Sequence, residues 1–231
     1  MPWKLDDHLA LWTAEPVTIR IDPGRLRGAA EGPFGKFDFW RLACDHHDER
    51  ADWRVVESFV RGRELAARYE RDACGRNRCD LRWRIVPPSN DDVLLCLEWL
   101  LSWQTFELDD RLDCLVTTNV PASKQWLCQE SCRPIDAPTV VSDRPVRAVA
   151  TAWGGSGGYV ELLWPSDFER VAVRPQGERT TIEWRLTEPH LEKGVIRRVR
   201  FRSYLLRSPV TPERIEACLR EFAASSTPLT A

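Results

Sequence analysis

Alternation of apolar and charged residues with a period of two constrains the fold of this chain more than any other feature of its sequence. In DLRWRIV (residues 80–86), Leu81, Trp83 and Ile85 alternate with charged residues, and TTIEWRL (residues 180–186) repeats the pattern around Trp184. Such alternation places every second side chain on the same face of an extended strand. Turn-forming segments such as DPGR, RGRE, PPSNDD and RPQGE separate the runs. The pattern predicts antiparallel strands that each bury one face, with Trp83 and Trp184 in the core.

Further strands are predicted along the whole chain, with one long irregular connection between them. They are residues 17–21, 36–43, 52–60, 64–70, 113–120, 146–153, 159–164, 170–174 and 194–206. Residues 121–145 contain several prolines and few alternating apolar positions, so we predict an irregular segment there. Long connections of this kind often shape binding sites.

One predicted strand, DVLLCLEWLLSWQTF (residues 92–106), is apolar on both faces for most of its length. Strands that are covered on both sides have this composition, so we predict that this strand is central in its sheet. Alternation sorts its residues into two sets that face opposite ways. The sets are Val93, Leu95, Leu97, Trp99, Leu101 and Trp103, and Leu94, Cys96, Glu98, Leu100, Ser102 and Gln104.

A single helix is predicted near the end of the chain, in TPERIEACLREF (residues 211–222). Thr211 suits the N-cap and Pro212 the first helical position. An apolar face recurs at helical spacing and would lie across a sheet; it consists of Ile215, Cys218, Leu219 and Phe222. Together these elements predict one all-β domain over residues 1–231, a large two-sheet antiparallel β-sandwich with one C-terminal helix.

Composition argues against several classes of function. Lys and Arg number 33 and Asp and Glu number 35, so there is no basic excess and we expect no nucleic-acid partner. The first residues lack the pattern of a signal peptide, and no apolar run reaches the roughly 18 to 20 residues that a bilayer requires. We therefore expect a soluble, cytoplasmic protein without a membrane partner. We find no cofactor-binding motif and expect no cofactor.

The eight cysteines are expected to be reduced in a cytoplasmic protein. Cys96, Cys114 and Cys218 stand in apolar runs and are predicted to be small core residues. Two pairs are close enough in sequence to form a disulfide, Cys74 with Cys79 and Cys128 with Cys132. Their spacing is not that of a zinc ribbon, so we predict no structural zinc.

A cluster of polar residues occupies RLACDHHDERADW (residues 41–53), which holds half of the four histidines of the chain. A metal site needs three or four ligands that converge on one point. In an extended chain His46 and His47 point to opposite faces, so at most one of them could join Cys44 or Asp48. We interpret the segment as a polar turn between two strands. A metal site formed by Cys44, His46 and His47 is the alternative, with His190 or Glu98 as the missing ligand.

The segment GGSGG (residues 154–158) matches the G-x-S-x-G pattern of a nucleophilic serine, with Ser156 at its centre. That chemistry requires a strand, a sharp turn and then a helix. The residues that follow, YVELLWP, alternate as a strand does. We therefore interpret GGSGG as a hairpin loop and not as a catalytic or phosphate-binding site.

Glu98 is the strongest candidate functional residue, because a carboxylate in the middle of an apolar strand is unfavourable to bury without a partner. One interpretation is an internal ion pair with an arginine. The other is a polar cleft in which Glu98 is a general acid or base, or a ligand-binding group. Ser102 and Gln104 follow on the same face and would supply hydrogen bonds to a polar ligand.

An arginine stripe runs along residues 194–206, where Arg198, Arg200 and Arg202 share one face, and further arginines stand at Arg82, Arg84 and Arg185. A sheet face exposed to solvent explains such a stripe, with acidic residues on the neighbouring strands. The alternative is a concave face that binds an anionic ligand such as an acidic sugar, with Arg198 and Arg200 as contacts.

The runs SFVRGRELAARYE, LRWRI, LLSWQTFELDDR, WPSDFERV and LEKGVIRRVRFRSYLL together resemble a family of uncharacterised bacterial proteins, frequent in planctomycetes, over roughly residues 50 to 206. The resemblance implies no catalytic residues, because the family has no assigned chemistry. Its long antiparallel strands are similar to those of galactose-mutarotase-like and polysaccharide-lyase C-terminal sandwiches, which implies sugars as ligands. The chain lacks a recognisable pair of mutarotase-type histidines with a partner glutamate.

The leading hypothesis is recognition of a carbohydrate or another polar small molecule in a cleft on one sheet, with Glu98, Ser102, Gln104, Arg198 and Arg200 as contacts. A second hypothesis is a non-enzymatic scaffold for a protein partner. A third is a metal-dependent hydrolase that uses residues 44–49. The first requires a concave cleft with convergent polar groups and an exposed aromatic side chain. The second requires Glu98 to be internally paired and a flat apolar or charged patch to be exposed.

Overall fold

The structure is a computed structural model that describes residues 2–6, 9–44, 53–71, 77–108, 110–135, 140–142, 145–154 and 157–225. Within these residues, two antiparallel sheets of nine strands pack face to face, and an α-helix covers part of one of them. The predicted all-β sandwich with one C-terminal helix is confirmed. Among the same residues, no helix is long and apolar enough to cross a membrane.

Sheet A is formed mainly by the first strands of the chain, and all strands are numbered along the chain. Across the sheet they are β1 (Lys4–Asp6), β2 (Leu9–Ala14), β3 (Val17–Asp22), β4 (Arg27–Gly32), β5 (Gly35–Cys44), β10 (Asp110–Pro121), β17 (Arg179–Leu191), β16 (Arg170–Gln176) and β13 (Val140–Ser142). A short 3-10 helix, Pro23–Arg25, connects β3 to β4. Gly177, at a φ of 62°, forms the tight turn between β16 and β17.

Sheet B carries the features on which the functional argument depends. Across the sheet its strands are β12 (Cys132–Pro134), β11 (Lys124–Cys128), β14 (Ala148–Ala152), β15 (Gly158–Leu163), β18 (Ile196–Leu206), β9 (Val93–Thr105), β8 (Asn77–Val86), β7 (Glu64–Glu70) and β6 (Arg54–Arg61). The strand with two apolar faces, β9, lies between β8 and β18 in the interior of the sheet, as its composition predicts. A second 3-10 helix, Pro165–Asp167, follows β15.

The main core lies between the two sheets and is rich in aromatic side chains. Trp83, Trp99, Trp103 and Trp184 are each at most 2% exposed, so the predicted core positions of Trp83 and Trp184 are confirmed. Trp40 of β5 stacks on Trp99 with ring centroids 5.7 Å apart. Period-two alternation explains this core, because each strand directs its apolar set to the facing sheet.

A β-bulge in β9 changes the predicted faces at the start of that strand. Leu205 pairs with Leu95 and Leu206 pairs with Val93, so Leu94 is the extra residue. Val93 consequently packs on the outer face of sheet B, and Leu94 packs against the core between the sheets. The predicted faces of these two residues are wrong. The assignment of alternate residues from Leu95 to Trp103 to the inner face is confirmed.

Helix α1 (Pro212–Ala224) covers part of the outer face of sheet B. The side chain of Thr211 accepts a hydrogen bond from the backbone N–H of Arg214, and Pro212 begins the helix, as predicted. The predicted apolar face is buried against a second core cluster that includes Val160, Leu162 and Tyr204 of sheet B; it consists of Ile215, Cys218, Leu219 and Phe222. The remainder of this sheet face is not covered by α1.

The segment 121–145 contains strands, and the prediction of an irregular connection there is wrong. β11 and β12 form an edge hairpin of sheet B, and β13 pairs with β16 in sheet A. A disulfide joins Cys128 to Cys132 across the hairpin, so the expectation of reduced thiols is wrong for this pair. β11, β12 and β13 have five, three and three residues, so each strand is too short to show a clear period-two pattern. The predicted core thiols Cys96, Cys114 and Cys218 are buried.

Candidate functional site

The uncovered part of the outer face of sheet B contains a hollow of about 220 Å³. Five neighbouring strands, β6, β7, β8, β9 and β18, contribute its lining side chains. We call it the sheet hollow. It contains three of the predicted ligand-binding residues, Ser102, Gln104 and Arg198. Ser102 and Gln104 share one face of β9, and Arg198 becomes their neighbour because β18 pairs with β9.

The register of the sheet explains why these three side chains converge. Ser102 lies opposite Arg198, and Gln104 lies opposite Ile196. Directly opposed residues in an antiparallel pair have Cβ atoms about 4.5–5.5 Å apart. No described residue forms a hydrogen bond with the side chain of Ser102, Gln104 or Arg198, and none forms an ion pair with Arg198. Their polar groups therefore remain available to a ligand.

The other charged groups of the sheet hollow are already paired. Asp80 accepts hydrogen bonds from Arg68 at 3.0 Å and from Arg78 at 2.9 Å. Glu57 lies 3.3 Å from Arg68. Because both carboxylates are occupied by arginines, neither is positioned as a free general base. The arrangement is suited to binding a polar molecule.

Phe59 on β6 is an aromatic side chain that the sequence argument missed. It is 45% exposed and lines the sheet hollow. The sequence feature that could have identified it is the segment VESFVR. By alternation, Phe59 shares one face of β6 with the charged residues Glu57 and Arg61. An aromatic residue on an otherwise charged face exposes a flat apolar surface to solvent.

Glu98 lies outside the sheet hollow, beneath the C-terminal end of α1, and is 1% exposed. Its Oε1 accepts a hydrogen bond from Arg84 at 2.5 Å, and its Oε2 accepts from Arg200 at 2.7 Å and from Arg202 at 2.6 Å. The internal ion pair is therefore the arrangement that the structure contains. The ligand-binding role of Glu98 stays a prediction.

The arginines around Glu98 are covered by the helix. Arg200 donates to the backbone oxygen of Ser225 at 3.1 Å and to its hydroxyl at 2.7 Å, and its guanidinium lies 4.7 Å from the ring centroid of Phe222. Arg200 and Arg202 are 2% and 1% exposed. The interpretation of the arginine stripe as a solvent-exposed face is therefore wrong for these two residues and holds for Arg198, which is exposed. Sequence alternation shows which face a residue is on but not what covers that face.

Ion pairing determines the protonation of Glu98. Burial alone would raise the pKa of this carboxyl, but Arg202, Arg200 and Arg84 outweigh burial and hold its pKa below the usual value. Glu98 is therefore ionised at neutral pH, and it is not arranged as a proton donor.

Glu161 of β15 is a second buried glutamate, and the sequence argument did not single it out. It is fully buried in the core between the sheets. Its oxygens accept hydrogen bonds from Trp40 at 3.1 Å, Thr118 at 2.8 Å and Trp184 at 2.5 Å, and from the hydroxyl of Tyr159. Burial raises its pKa despite these donors. The sequence feature that could have identified Glu161 is its position as a single glutamate within the apolar run YVELLW.

The candidate metal and nucleophile segments lie largely outside the described residues. His46, His47 and Ser156 are not among them, and Cys44 is the last residue of β5. His190, the proposed additional ligand, is exposed near the end of β17. Within the ranges that the structure describes, no group of three or more His, Cys, Asp or Glu residues is placed to hold a metal ion.

Comparisons with known proteins identify the fold. Neither a protein-family model nor a curated protein matches the sequence. A solved structure assigned as an aldose 1-epimerase from Klebsiella pneumoniae is similar, with a TM-score of 0.60, 11% identity, and coverage of 93% of this chain and 83% of that chain. The α-N-acetylgalactosaminidase NagBb from Bifidobacterium bifidum, in complex with GalNAc, is also similar, with a TM-score of 0.60, 16% identity and 92% of this chain covered.

These likenesses show a galactose-mutarotase-like fold and no more. A second NagBb structure, in complex with Gal-NHAc-DNJ, has a TM-score of 0.62 and 14% identity. This chain spans only 38% of the NagBb chain. The similarity to galactose-mutarotase-like sandwiches expected from the sequence is confirmed at the level of fold. Fold similarity does not transfer an activity, so function must be argued from the site.

Proposed function

We propose that this protein binds a carbohydrate or a similar polar small molecule in the sheet hollow, without catalysing a reaction there. The observation that carries the proposal is the convergence of three unoccupied polar groups in a hollow that also exposes an aromatic ring on its lining. Ser102, Gln104 and Arg198 supply hydrogen bonds, and Phe59 supplies an apolar face. Sugars present both kinds of surface, hydroxyl groups at the ring edge and C–H groups on the ring faces.

The size and charge of the sheet hollow restrict the kinds of ligand that could bind there. Its volume of about 220 Å³ is below the roughly 300 Å³ at which pockets for drug-sized ligands begin. A single sugar ring or a smaller molecule is therefore the expected size. Arg198 is a cation without an ion-pair partner in the described residues, and a carboxylate on the ligand would give it one. An acidic monosaccharide is thus the preferred probe.

A scaffold for a protein partner is the second candidate. Glu98 is internally paired, as that hypothesis requires. Two adjacent segments also expose apolar side chains at one end of sheet B; these are Phe106, Leu108, Val195 and Ile196. The candidate makes no use of the unoccupied groups of the sheet hollow, so we rank it second.

Thermal shift and calorimetry with glucuronate, galactose and N-acetylgalactosamine test the proposal, because a ligand of the native state raises the melting temperature. We expect glucuronate to bind the wild-type protein. Arg198→Ala should weaken glucuronate binding by roughly tenfold or more, since a hydrogen bond between charged groups contributes about 1.5–3 kcal/mol. Phe59→Ala should weaken binding of acidic and neutral sugars alike.

Arg170→Ala is the matched control, because Arg170 is an exposed arginine on sheet A with no ion-pair partner among the described residues. It should leave sugar binding unchanged. Absence of binding to all three sugars, or equal effects of Arg198→Ala and Arg170→Ala, would contradict the proposal and leave the scaffold candidate ahead.

A further inference from the structure

A second hollow, of about 560 Å³, lies beside the C-terminal end of α1. We call it the helix-end hollow. Four arginines line it, Arg61, Arg63, Arg84 and Arg202, together with Glu221 and Ser225. The cluster around Glu98 lies beside it, because Arg84 and Arg202 belong to both. On the sheet, the row formed by Arg82, Leu100 and Arg200 separates it from the sheet hollow.

Positive charge exceeds negative charge at this location. The arginines of the hollow and the cluster are Arg61, Arg63, Arg84, Arg200 and Arg202, and the carboxylates are Glu64, Glu98 and Glu221. Five cations and three anions leave an excess of two positive charges, in a chain whose net charge is −2. The excess is therefore a local feature of this surface.

The carboxylates present are already engaged. Glu98 contacts three arginines, and Glu64 lies 3.5 Å from Arg82. Glu221 accepts a hydrogen bond from Ser89 and lies 3.9 Å from Arg202. Each of the three carboxylates therefore has a partner other than Arg61 and Arg63, so none of them neutralises those two arginines within this part of the described chain.

Several guanidinium donors remain unused. Arg61 and Arg63 are exposed, and neither side chain has a hydrogen-bond or ion-pair partner among the described residues. The buried Nε of Arg84 also lacks a partner in that part of the chain. The carbonyl of Ser225, the C-cap residue of α1, accepts a hydrogen bond from Arg200.

Because Arg61 and Arg63 are exposed and lack a carboxylate partner in the described chain, an anion that binds there gains their attraction without displacing an existing ion pair. Guanidinium groups bind oxyanions through paired hydrogen bonds, which favours phosphate and carboxylate groups over neutral ligands. We propose that the helix-end hollow is an anion-binding site, which takes the phosphate or carboxylate group of a small molecule against Arg61, Arg63 and Arg84.

Calorimetric titration at low ionic strength tests this site, with inorganic phosphate, glucose 6-phosphate, glucuronate and glucose as probes. We expect at least one of the three anions to bind and glucose not to bind at this site. Arg61→Gln and Arg63→Gln should each raise the Kd of that anion roughly tenfold, which corresponds to about 1.4 kcal/mol. Added salt should weaken the binding, because part of the attraction is screened.

Two controls separate this proposal from binding in the sheet hollow. Arg170→Gln tests for a nonspecific effect of removing a surface arginine, and Arg198→Ala removes the cation of the sheet hollow. Neither should change phosphate binding. Both Arg61→Gln and Arg63→Gln should keep the melting temperature of the free protein, since both side chains are exposed.

Comparison of the four probes identifies the chemical group that binds. Binding of inorganic phosphate or glucose 6-phosphate that is weakened in Arg61→Gln and Arg63→Gln supports a phosphate group, and the same behaviour with glucuronate alone supports a carboxylate. Three results would overturn the proposal: no anion binds, glucose binds as tightly as glucose 6-phosphate, or anion binding is lost in Arg198→Ala and retained in both Arg61→Gln and Arg63→Gln.

Discussion

Glu98 and Glu161 are two glutamates with nearly the same burial and opposite surroundings. Both belong to sheet B and both are at most 1% exposed. Glu98 points to the outer face and contacts three guanidinium groups. Glu161 points to the core between the sheets and accepts hydrogen bonds from two indoles and two hydroxyls. The first is surrounded by cations and the second by neutral donors.

The comparison shows that burial does not by itself determine whether a carboxyl group is charged. Burial raises the pKa of both groups. At Glu98 the arginines outweigh it, and the pKa is lowered. At Glu161 the neutral donors do not outweigh it, and the pKa is raised. The two sites also hold different parts of the fold together, since Glu98 joins β9 to β8 and β18 beneath α1, whereas Glu161 joins the two sheets.

Removal of Glu98 is the change with the largest expected effect. Glu98→Gln leaves the buried Arg200 and Arg202 without their anion, and breaking a buried ion pair in this way lowers the free energy of unfolding by about 3–5 kcal/mol. Urea unfolding followed by tryptophan fluorescence measures it. Glu31→Gln is the control, because its ion pair with Arg20 is 3.7 Å long and exposed, and we expect a loss of about 0–1 kcal/mol. Equal losses would show that the Glu98 cluster does not behave as a buried ion pair.

Substitution of Glu161 should have a smaller effect. Glu161→Gln replaces one acceptor oxygen by an NH₂ group that faces other donors, so one donor remains unsatisfied at a loss of about 1–3 kcal/mol. Thr118→Val removes a single donor and should lose about 0.5–1.5 kcal/mol. The same urea titrations apply. A loss for Glu161→Gln as large as that for Glu98→Gln would remove the distinction between the two sites.

The contributions of Glu98 and Glu161 to the free energy of unfolding should change in opposite directions with pH. The stabilisation from Glu98 is complete above the ordinary glutamate pKa of about 4.3 and is lost as pH falls through its lowered pKa. The stabilisation from Glu161 is complete below about pH 4.3 and is lost as pH rises through its raised pKa. On acidification, the stability difference between wild type and Glu98→Gln should therefore shrink, and that between wild type and Glu161→Gln should grow. If both stability differences shrank, or both grew, on acidification, the result would contradict the opposite pKa shifts of Glu98 and Glu161.

The candidate site could be predicted from the sequence only in part. Alternation identified Ser102, Gln104 and Arg198 as outward-facing polar residues, and the structure places all three in the sheet hollow. It grouped Glu98 and Arg200 with them, although α1 buries these two under its C-terminal end. Phe59 could not be recognised as exposed from the sequence pattern, because alternation gives the face on which its ring lies but not what covers that face.

The sequence pattern predicts most of the strands, the helix with its N-cap, and the tryptophans that face the core. These are local properties, because side-chain direction along a strand or helix follows from backbone geometry over a few residues. Only the tertiary structure decided which polar groups meet. Arg200 and Glu98 are 102 residues apart in sequence, and Trp40 and Glu161 are 121 residues apart. Strand order and sheet packing bring such groups together, and no pattern within a single strand contains that information.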